Sequence, residues 1–206
     1  MFLVVEGIEG SGKSTLIGSL AARLQIEGRE VFVTREPGGT PVGDAVRRIF
    51  LDRSIRIEPL TEALLINAAR AAHVSQAIRP VLQSGGTVLC DRFVDSTLAY
   101  QGYGRGLDLD YVRDLCAHAT AGLEAGLTLL VDVPVAVSRE RMRLRGGVVD
   151  RLESEDDAFH ERVRGGYLEL ARQPRHVVLD GTLEPPELLD AALAALERHG
   201  AAAETG

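Results

Sequence analysis

The sequence predicts an α/β domain in which a five-stranded parallel sheet lies between two layers of helices. Three observations carry that expectation. Five short runs, Phe2–Val5, Val31–Thr34, Thr87–Cys90, Leu127–Val133 and His176–Leu179, are rich in Val and Leu, as strands covered on both faces are. Longer stretches of helical character separate them, and strands alternating with helices imply right-handed crossovers between parallel strands. A glycine-rich segment joins the first strand to the first helix, the position of a phosphate-binding loop.

Taken in order, the first run leads into a helix expected over Ser14–Glu27, and the second into one over Gly43–Leu51. A long helix over Thr61–Gln83 precedes the third strand, and another over Asp110–Thr120 follows it. Helices over Pro134–Arg145 and Ala158–Ala171 separate the fourth and fifth strands. The last is expected from Pro186 to His199, opening on prolines and stopping at Gly200, with Ala201–Gly206 as a frayed tail. No repeat or linker interrupts the pattern, and 206 residues suit one domain.

Composition narrows the function. Hydrophobic residues make up 45% and charged residues 26%, an ordinary balance for a soluble domain. No run approaches the ~18 apolar residues of a membrane helix. The start of the chain, with Glu6 after five residues, does not read as a signal peptide. Cys90 and Cys116 are the two cysteines; they show no pairing framework or metal spacing, which fits a reducing cytoplasm. The five histidines form no recognisable metal pair. A net charge of -7 argues against a general nucleic-acid binder. Any polyanion must therefore meet a local cluster of positive charge.

Gly7-Ile8-Glu9-Gly10-Ser11-Gly12-Lys13-Ser14 matches the phosphate-loop pattern G-x-x-x-x-G-K-[ST]. Its glycines let successive backbone N–H groups and a helix N-terminus face phosphates. Lys13 would reach the β- and γ-phosphates, and the Ser14 hydroxyl would bind Mg²⁺. Two further stretches follow strands: Thr34-Arg35-Glu36-Pro37-Gly38-Gly39-Thr40, and Asp91-Arg92-Phe93 with Asp95-Ser96-Thr97-Leu98-Ala99-Tyr100-Gln101-Gly102-Tyr103-Gly104-Arg105-Gly106. Ligands of open parallel sheets bind at the C-terminal strand ends, so all three stretches converge on one crevice. Arg35 and Arg92 then face the phosphate loop, which suits a second, phosphate-bearing substrate. Asp91 is suited to holding Mg²⁺ or its water shell beside Ser14.

These motifs, in this order, resemble the thymidylate kinase family over Phe2 to about Leu170. The resemblance implies the three-layer phosphate-loop fold of nucleoside monophosphate kinases, transfer of phosphate from ATP to dTMP, and a homodimer. It takes Gly7, Ile8, Glu9, Gly10, Ser11, Gly12, Lys13, Ser14 and Thr15 as the ATP-binding loop. It makes Glu9 a contact of the sugar 3′-hydroxyl of dTMP, and Arg35, Arg47 and Arg92 the clamp on its phosphate. Glu36 would reach substrate or Mg²⁺ through water. Arg70, Thr97 and Gln101 match positions that bond the thymine ring, and Tyr100 one that crowds a ribose 2′-hydroxyl. Ile66 is a departure: the family usually has a Phe there that stacks on thymine.

Arg139, Arg141, Arg143 and Arg145 recur every second residue before Gly146-Gly147 and Asp150-Arg151. The resemblance makes residues of about 141–153 a lid over ATP, with the glycine pair as hinge. Because the phosphate-loop position is Gly10 and not a base, the lid arginines, among them Arg143, Arg145 and Arg151, would supply the stabilising charge. Two rivals remain: a kinase for another monophosphate, and a nucleotide-dependent switch. The switch lacks its guanine-selective N-K-x-D element here.

Overall fold

The computed structural model describes residues 1–146 and 150–204. Five parallel strands form one sheet: β1 (Phe2–Glu6), β2 (Val31–Arg35), β3 (Thr87–Asp91), β4 (Leu127–Asp132) and β5 (His176–Asp180), in the spatial order β2-β3-β1-β4-β5. Val5 is in register with Asp91 and Leu129, and Arg35 with Asp91. The C-terminal ends of β1, β2 and β3 thus finish side by side, and each of the three motifs begins there.

Strand alternation divides the core. Leu3 and Val5 of β1, with Leu129 and Val131 of β4, pack under α1 (Lys13–Ile26) and α9 (Pro185–Glu204) through Leu16, Leu20, Leu188 and Ala192. Phe2, Val4, Val88 and Cys90 point to the other face and meet Val74, Ile78 and Phe93. Both faces are covered, which explains why these strands read as unbroken apolar runs and not as alternating ones. The remaining helices include α2 (Pro41–Leu51), α3 (Pro59–His73), α6 (Leu109–Thr120), α7 (Val135–Arg145) and α8 (Asp157–Leu170).

Three elements depart from expectation. The helix expected over Thr61–Gln83 is α3, then a π-helical turn at Val74–Ile78, then α4 (Arg79–Gln83). Pro80 has no N–H and would crowd the carbonyl four residues back, so the ladder widens just before it. The glycine-rich stretch after β3 is helical: α5 (Val94–Thr97) runs into a π-helical segment at Leu98–Gly104. Its glycines provide space for packing. A Cβ on Gly102 would lie 2.5 Å from Leu109, and one on Gly104 2.8 Å from Phe159 of α8. Gly200 does not stop the last helix, which continues to Glu204. Gly costs only about 1 kcal/mol relative to Ala in a helix, and alanines follow it. Of the expected tail, Thr205 and Gly206 lie outside the described residues, as do 147–149, including Gly147 of the expected hinge.

Candidate active site

The phosphate loop is built by close approach. Gly7 has φ 142°, and a Cβ there would lie 2.4 Å from the Val131 carbonyl. Gly10, at φ 68°, leaves 2.8 Å to the Ser138 carbonyl. A side chain at either position would push the loop off β4 and α7. Ser11 and Ile8 are buried and shape the loop from within. Lys13 folds back over it, donating to the Ile8 carbonyl at 2.7 Å. Burial and then the neighbouring Arg92 push the Lys13 pKa down to about 8.

Two cavities meet at this loop. The first, about 230 Å³, is lined by Glu9, Gly10, Lys13, Ser14, Glu36, Arg47, Ile66, Arg70, Asp91, Arg92, Thr97, Tyr100, Gln101 and Arg145. The second, about 400 Å³, is lined by Gly10, Gly12, Lys13, Ser14, Thr15, Arg141, Met142, Arg145, Gly181 and Leu188. Gly10, Lys13, Ser14 and Arg145 belong to both. A donor in one cavity and an acceptor in the other would face each other across Lys13.

At one end of the first cavity Lys13, Arg47 and Arg92 lie among the acids Glu9, Asp91, Asp150 and Glu153. Arg92 donates to Glu9 at 2.8 Å and stacks 5.2 Å from the Tyr100 ring centroid. Tyr100 in turn donates to Glu9 at 2.5 Å. Burial raises the Glu9 pKa, but Arg92 and Lys13 outweigh it and hold the carboxyl below its ordinary range. Arg47 donates to the Pro37 carbonyl at 3.2 Å across the cis Glu36–Pro37 peptide. Its pKa is lowered by burial and then by the charge of Arg35, with Arg92 adding to the effect. Arg35 itself is exposed and lies at the rim, outside the lining of the first cavity. The Oδ1 atom of Asp91 is buried and has no hydrogen-bond partner. Such a carboxylate oxygen beside a phosphate loop is chemically suited to a hard cation or its water.

The far end differs. All five N–H groups of Arg70 are engaged: Nε to Glu36 at 2.7 Å, Nη1 to Asn67 and Cys116, Nη2 to the Phe93 carbonyl and Thr97. Glu36 also meets His73 at 3.0 Å, and His73 meets Thr34 at 2.7 Å on its other nitrogen. Gln101 donates to Glu62 at 3.0 Å. Ile66 is buried beside Phe50, Tyr100 and Leu152. Arg70 therefore lines the cavity with every N–H committed to protein partners, whereas Gln101 commits one amide N–H to Glu62 and Thr97 accepts from Arg70.

The arginines expected in a lid separate. Arg145 lines both cavities and bonds Glu153 at 2.7 Å. Arg143 is exposed and bonded to Glu140, and it lines neither cavity. Arg151 is buried on the Phe50 carbonyl and Glu62, with its guanidinium 4.9 Å from the Phe50 ring centroid. Arg141, assigned no role from sequence, reaches the Gly181 carbonyl at 2.8 Å and the loop carbonyls of Gly10 and Ser11.

Two acids at the site were not singled out from the sequence. Glu62, fully buried, accepts from Gln101, Arg105 and Arg151. Its signal was spacing, since Glu62, Ile66 and Arg70 fall four apart on one helical face. Glu6, at the end of β1, accepts from Phe93, Ser96 and Tyr167. Its signal was a charge closing a buried apolar strand, a costly placement unless hydrogen-bonded.

A family model described as thymidylate kinase matches residues 5–192. A thymidylate kinase of Deinococcus radiodurans is 50% identical over 202 residues, spanning 97% of this chain and 98% of that protein. One of Thermomicrobium roseum is 51% identical over 195 residues, spanning 94% and 92%. The crystal structure of thymidylate kinase from Ehrlichia chaffeensis superposes with a TM-score of 0.77 at 32% identity, covering 95% of this chain and 98% of that one. With the phosphate loop, the arginine cluster and the sheet order all in agreement, the chain belongs to the thymidylate kinase family.

Proposed function

We propose that this chain transfers the γ-phosphoryl group of ATP to a phosphate oxygen of dTMP, giving dTDP and ADP, where its two cavities meet. The observation that carries this reading is the shared wall. Lys13 and Arg145 border both cavities, whereas Arg47 and the Glu9-paired Arg92 line only the first, with Arg35 close enough to Arg47 to lower its pKa. A monophosphate dianion supplies negative charge there. Its oxygen is already a competent nucleophile, so the protein's task is positioning and neutralisation of charge.

In this reading Ser14 and the unpartnered Oδ1 of Asp91 would hold Mg²⁺, which supplies charge neutralisation to the transferred group when bound. Arg35 joins the clamp from the rim, while Glu9 holds Arg92 and Tyr100 until the sugar 3′-hydroxyl arrives. A thymine contact of Arg70 would require partner exchange, since all five of its N–H groups are engaged, whereas Thr97 and Gln101 would meet the base through the lone pairs and amide N–H that remain open. Residues of about 141–153 form the lid of one domain. Closing it would exclude water and suppress hydrolysis of ATP. The test is ADP production across a panel of nucleoside monophosphates. dTMP should stimulate it most; equal or greater stimulation by another monophosphate would replace the substrate, and none at all would restore the switch reading.

A homodimer belongs to the same proposal. Val42 and Ile49 of α2, Leu60 and Leu64 of α3, and Tyr111 of α6 are each exposed by 40–48%. Spacings of seven and four keep each pair on one helix face, so together they offer an apolar surface that a second copy would cover. Light scattering should give twice the chain mass, and a monomer at micromolar concentration would contradict it. No helix among the described residues is long and apolar enough to cross a membrane. Cytoplasmic residence completes the proposal, and two buried free thiols suit it.

A further inference from the structure

Arg92 is held in an unusual way. Its φ is 70°, one of two positive values among the described non-glycine residues. A bulky side chain seldom adopts that region unless surrounding contacts enforce it. The backbone that follows is tied to one side chain. Glu6 Oε1 accepts from the Phe93 N–H at 2.8 Å and from the Ser96 N–H at 3.2 Å.

The other oxygen of the same carboxylate governs the guanidinium. Glu6 Oε2 accepts from the Ser96 hydroxyl at 2.6 Å and the Tyr167 hydroxyl at 3.1 Å. Each hydroxyl has a single proton: that of Ser96 goes to Glu6, and that of Tyr167 to Glu6 or to the Ser96 oxygen 2.7 Å away. A lone pair on each is therefore left for Arg92, whose Nη1 donates to Ser96 at 3.1 Å and to Tyr167 at 2.9 Å. One edge of the guanidinium is fixed, while Nη2, now on Glu9, is left to change partner when a phosphate arrives. Glu6 itself lies outside the lining of the first cavity.

We propose that Glu6, acting through Ser96 and Tyr167, is the positioning residue that presents Arg92 to the monophosphate. This rests on the reading of Arg92 as a ligand of the dTMP phosphate. Retaining a carboxylate here is unfavourable in itself: burial, followed by the charge of Asp95, pushes the Glu6 pKa up to about 7. The group is retained in a place where an apolar side chain would fold more easily.

Glu6→Gln is the sharpest variant, because it keeps shape and removes one acceptor. Whichever way its amide is turned, an NH₂ meets either two backbone N–H groups or the two hydroxyls whose lone pairs serve Arg92. It should raise the dTMP KM about tenfold while the ATP KM stays within about twofold. Tyr167→Phe and Ser96→Ala each remove one hydroxyl and should raise the dTMP KM about threefold, which keeps the test open if Glu6→Gln fails to fold. Combined with Arg92→Ala, the Glu6 change should add nothing, since residues acting as one unit are not additive. If Arg92→Ala raises the dTMP KM but all three other variants stay within twofold of wild type, Glu6 is structural only. An equal rise in both KM values would also overturn the proposal. If Arg92→Ala leaves the dTMP KM unchanged, the phosphate-clamp reading fails first and takes this one with it.

Discussion

The two ends of the first cavity handle charge in opposite ways. At the end lined by Arg70 and Gln101 every charge has its partner inside the protein. Arg70 is 1% exposed with five hydrogen bonds, Glu36 is shared between Arg70 and His73, and Glu62 gathers Gln101, Arg105 and Arg151. At the end beside the phosphate loop, burial and then the charges of Arg35 and Arg92 depress the pKa of Arg47, and Asp91 Oδ1 lacks a partner. A base is neutral and brings no charge to complete a network, so that network is complete in advance. Under the proposed function a dianion does bring charge, and Arg92 would exchange its Glu9 partner for it. The contrast separates residues that hold the fold from residues that wait for ligand.

The largest expected effect tests the first half of that contrast. Arg70→Ala leaves Glu36 buried without its main partner, and breaking a buried pair in this way costs about 3–5 kcal/mol. Arg47→Ala relieves repulsion and should leave stability unchanged within about 0.5 kcal/mol. Urea unfolding of both variants checks this, and equal losses would dissolve the distinction. Next in size, Lys13→Ala should lower kcat by about a hundred- to a thousandfold, as removal of a preorganised transition-state donor does. Its far-UV circular dichroism should be unchanged. A folded variant with near wild-type turnover would remove Lys13 from the shared wall.

How far the sequence foretold this arrangement depended on the kind of signal. β1 to β5 were legible because burial on both faces makes apolar runs, and the loop from Gly7 to Ser14 because its geometry tolerates few residues. The helical segment from Val94 to Gly104 was not, since Gly102 and Gly104 read as breakers while they serve as space for Leu109 and Phe159. The nearness of Arg35 and Arg92 to the loop was expected from their places after strand ends, whereas Arg47, inside α2, was expected from the family resemblance alone. The saturation of Arg70 was not, because its partners Glu36, Asn67, Phe93, Thr97 and Cys116 come from four separate stretches of chain. Equally, no periodicity distinguishes Arg145, at both cavities, from Arg143, two residues away and in solvent.

That last difference yields a smaller effect. Arg145→Ala should lower kcat about tenfold, the lower range for a charge-assisted contact, whereas Arg143→Ala should leave it unaltered. A reversed ranking would mean that the helix turns when the lid closes. Smaller again is Ile66→Phe. Stacking on a base is worth about 1–3 kcal/mol, of which an aliphatic wall recovers part, so the dTMP KM should fall about threefold with the ATP KM unchanged. A rise would show that the pocket around Phe50, Tyr100 and Leu152 has no room for the ring.

The most direct measurement compares dTMP with thymidine, which differ only in the phosphate, by calorimetric titration of wild type and Arg92→Ala. The cluster should make wild type strongly prefer dTMP. Loss of one charge-assisted contact, about 1.5–3 kcal/mol, should narrow that preference about ten- to a hundredfold, with thymidine affinity nearly constant. If Arg92→Ala weakens both ligands alike and leaves their ratio untouched, Arg92 supports the pocket and the phosphate is held elsewhere.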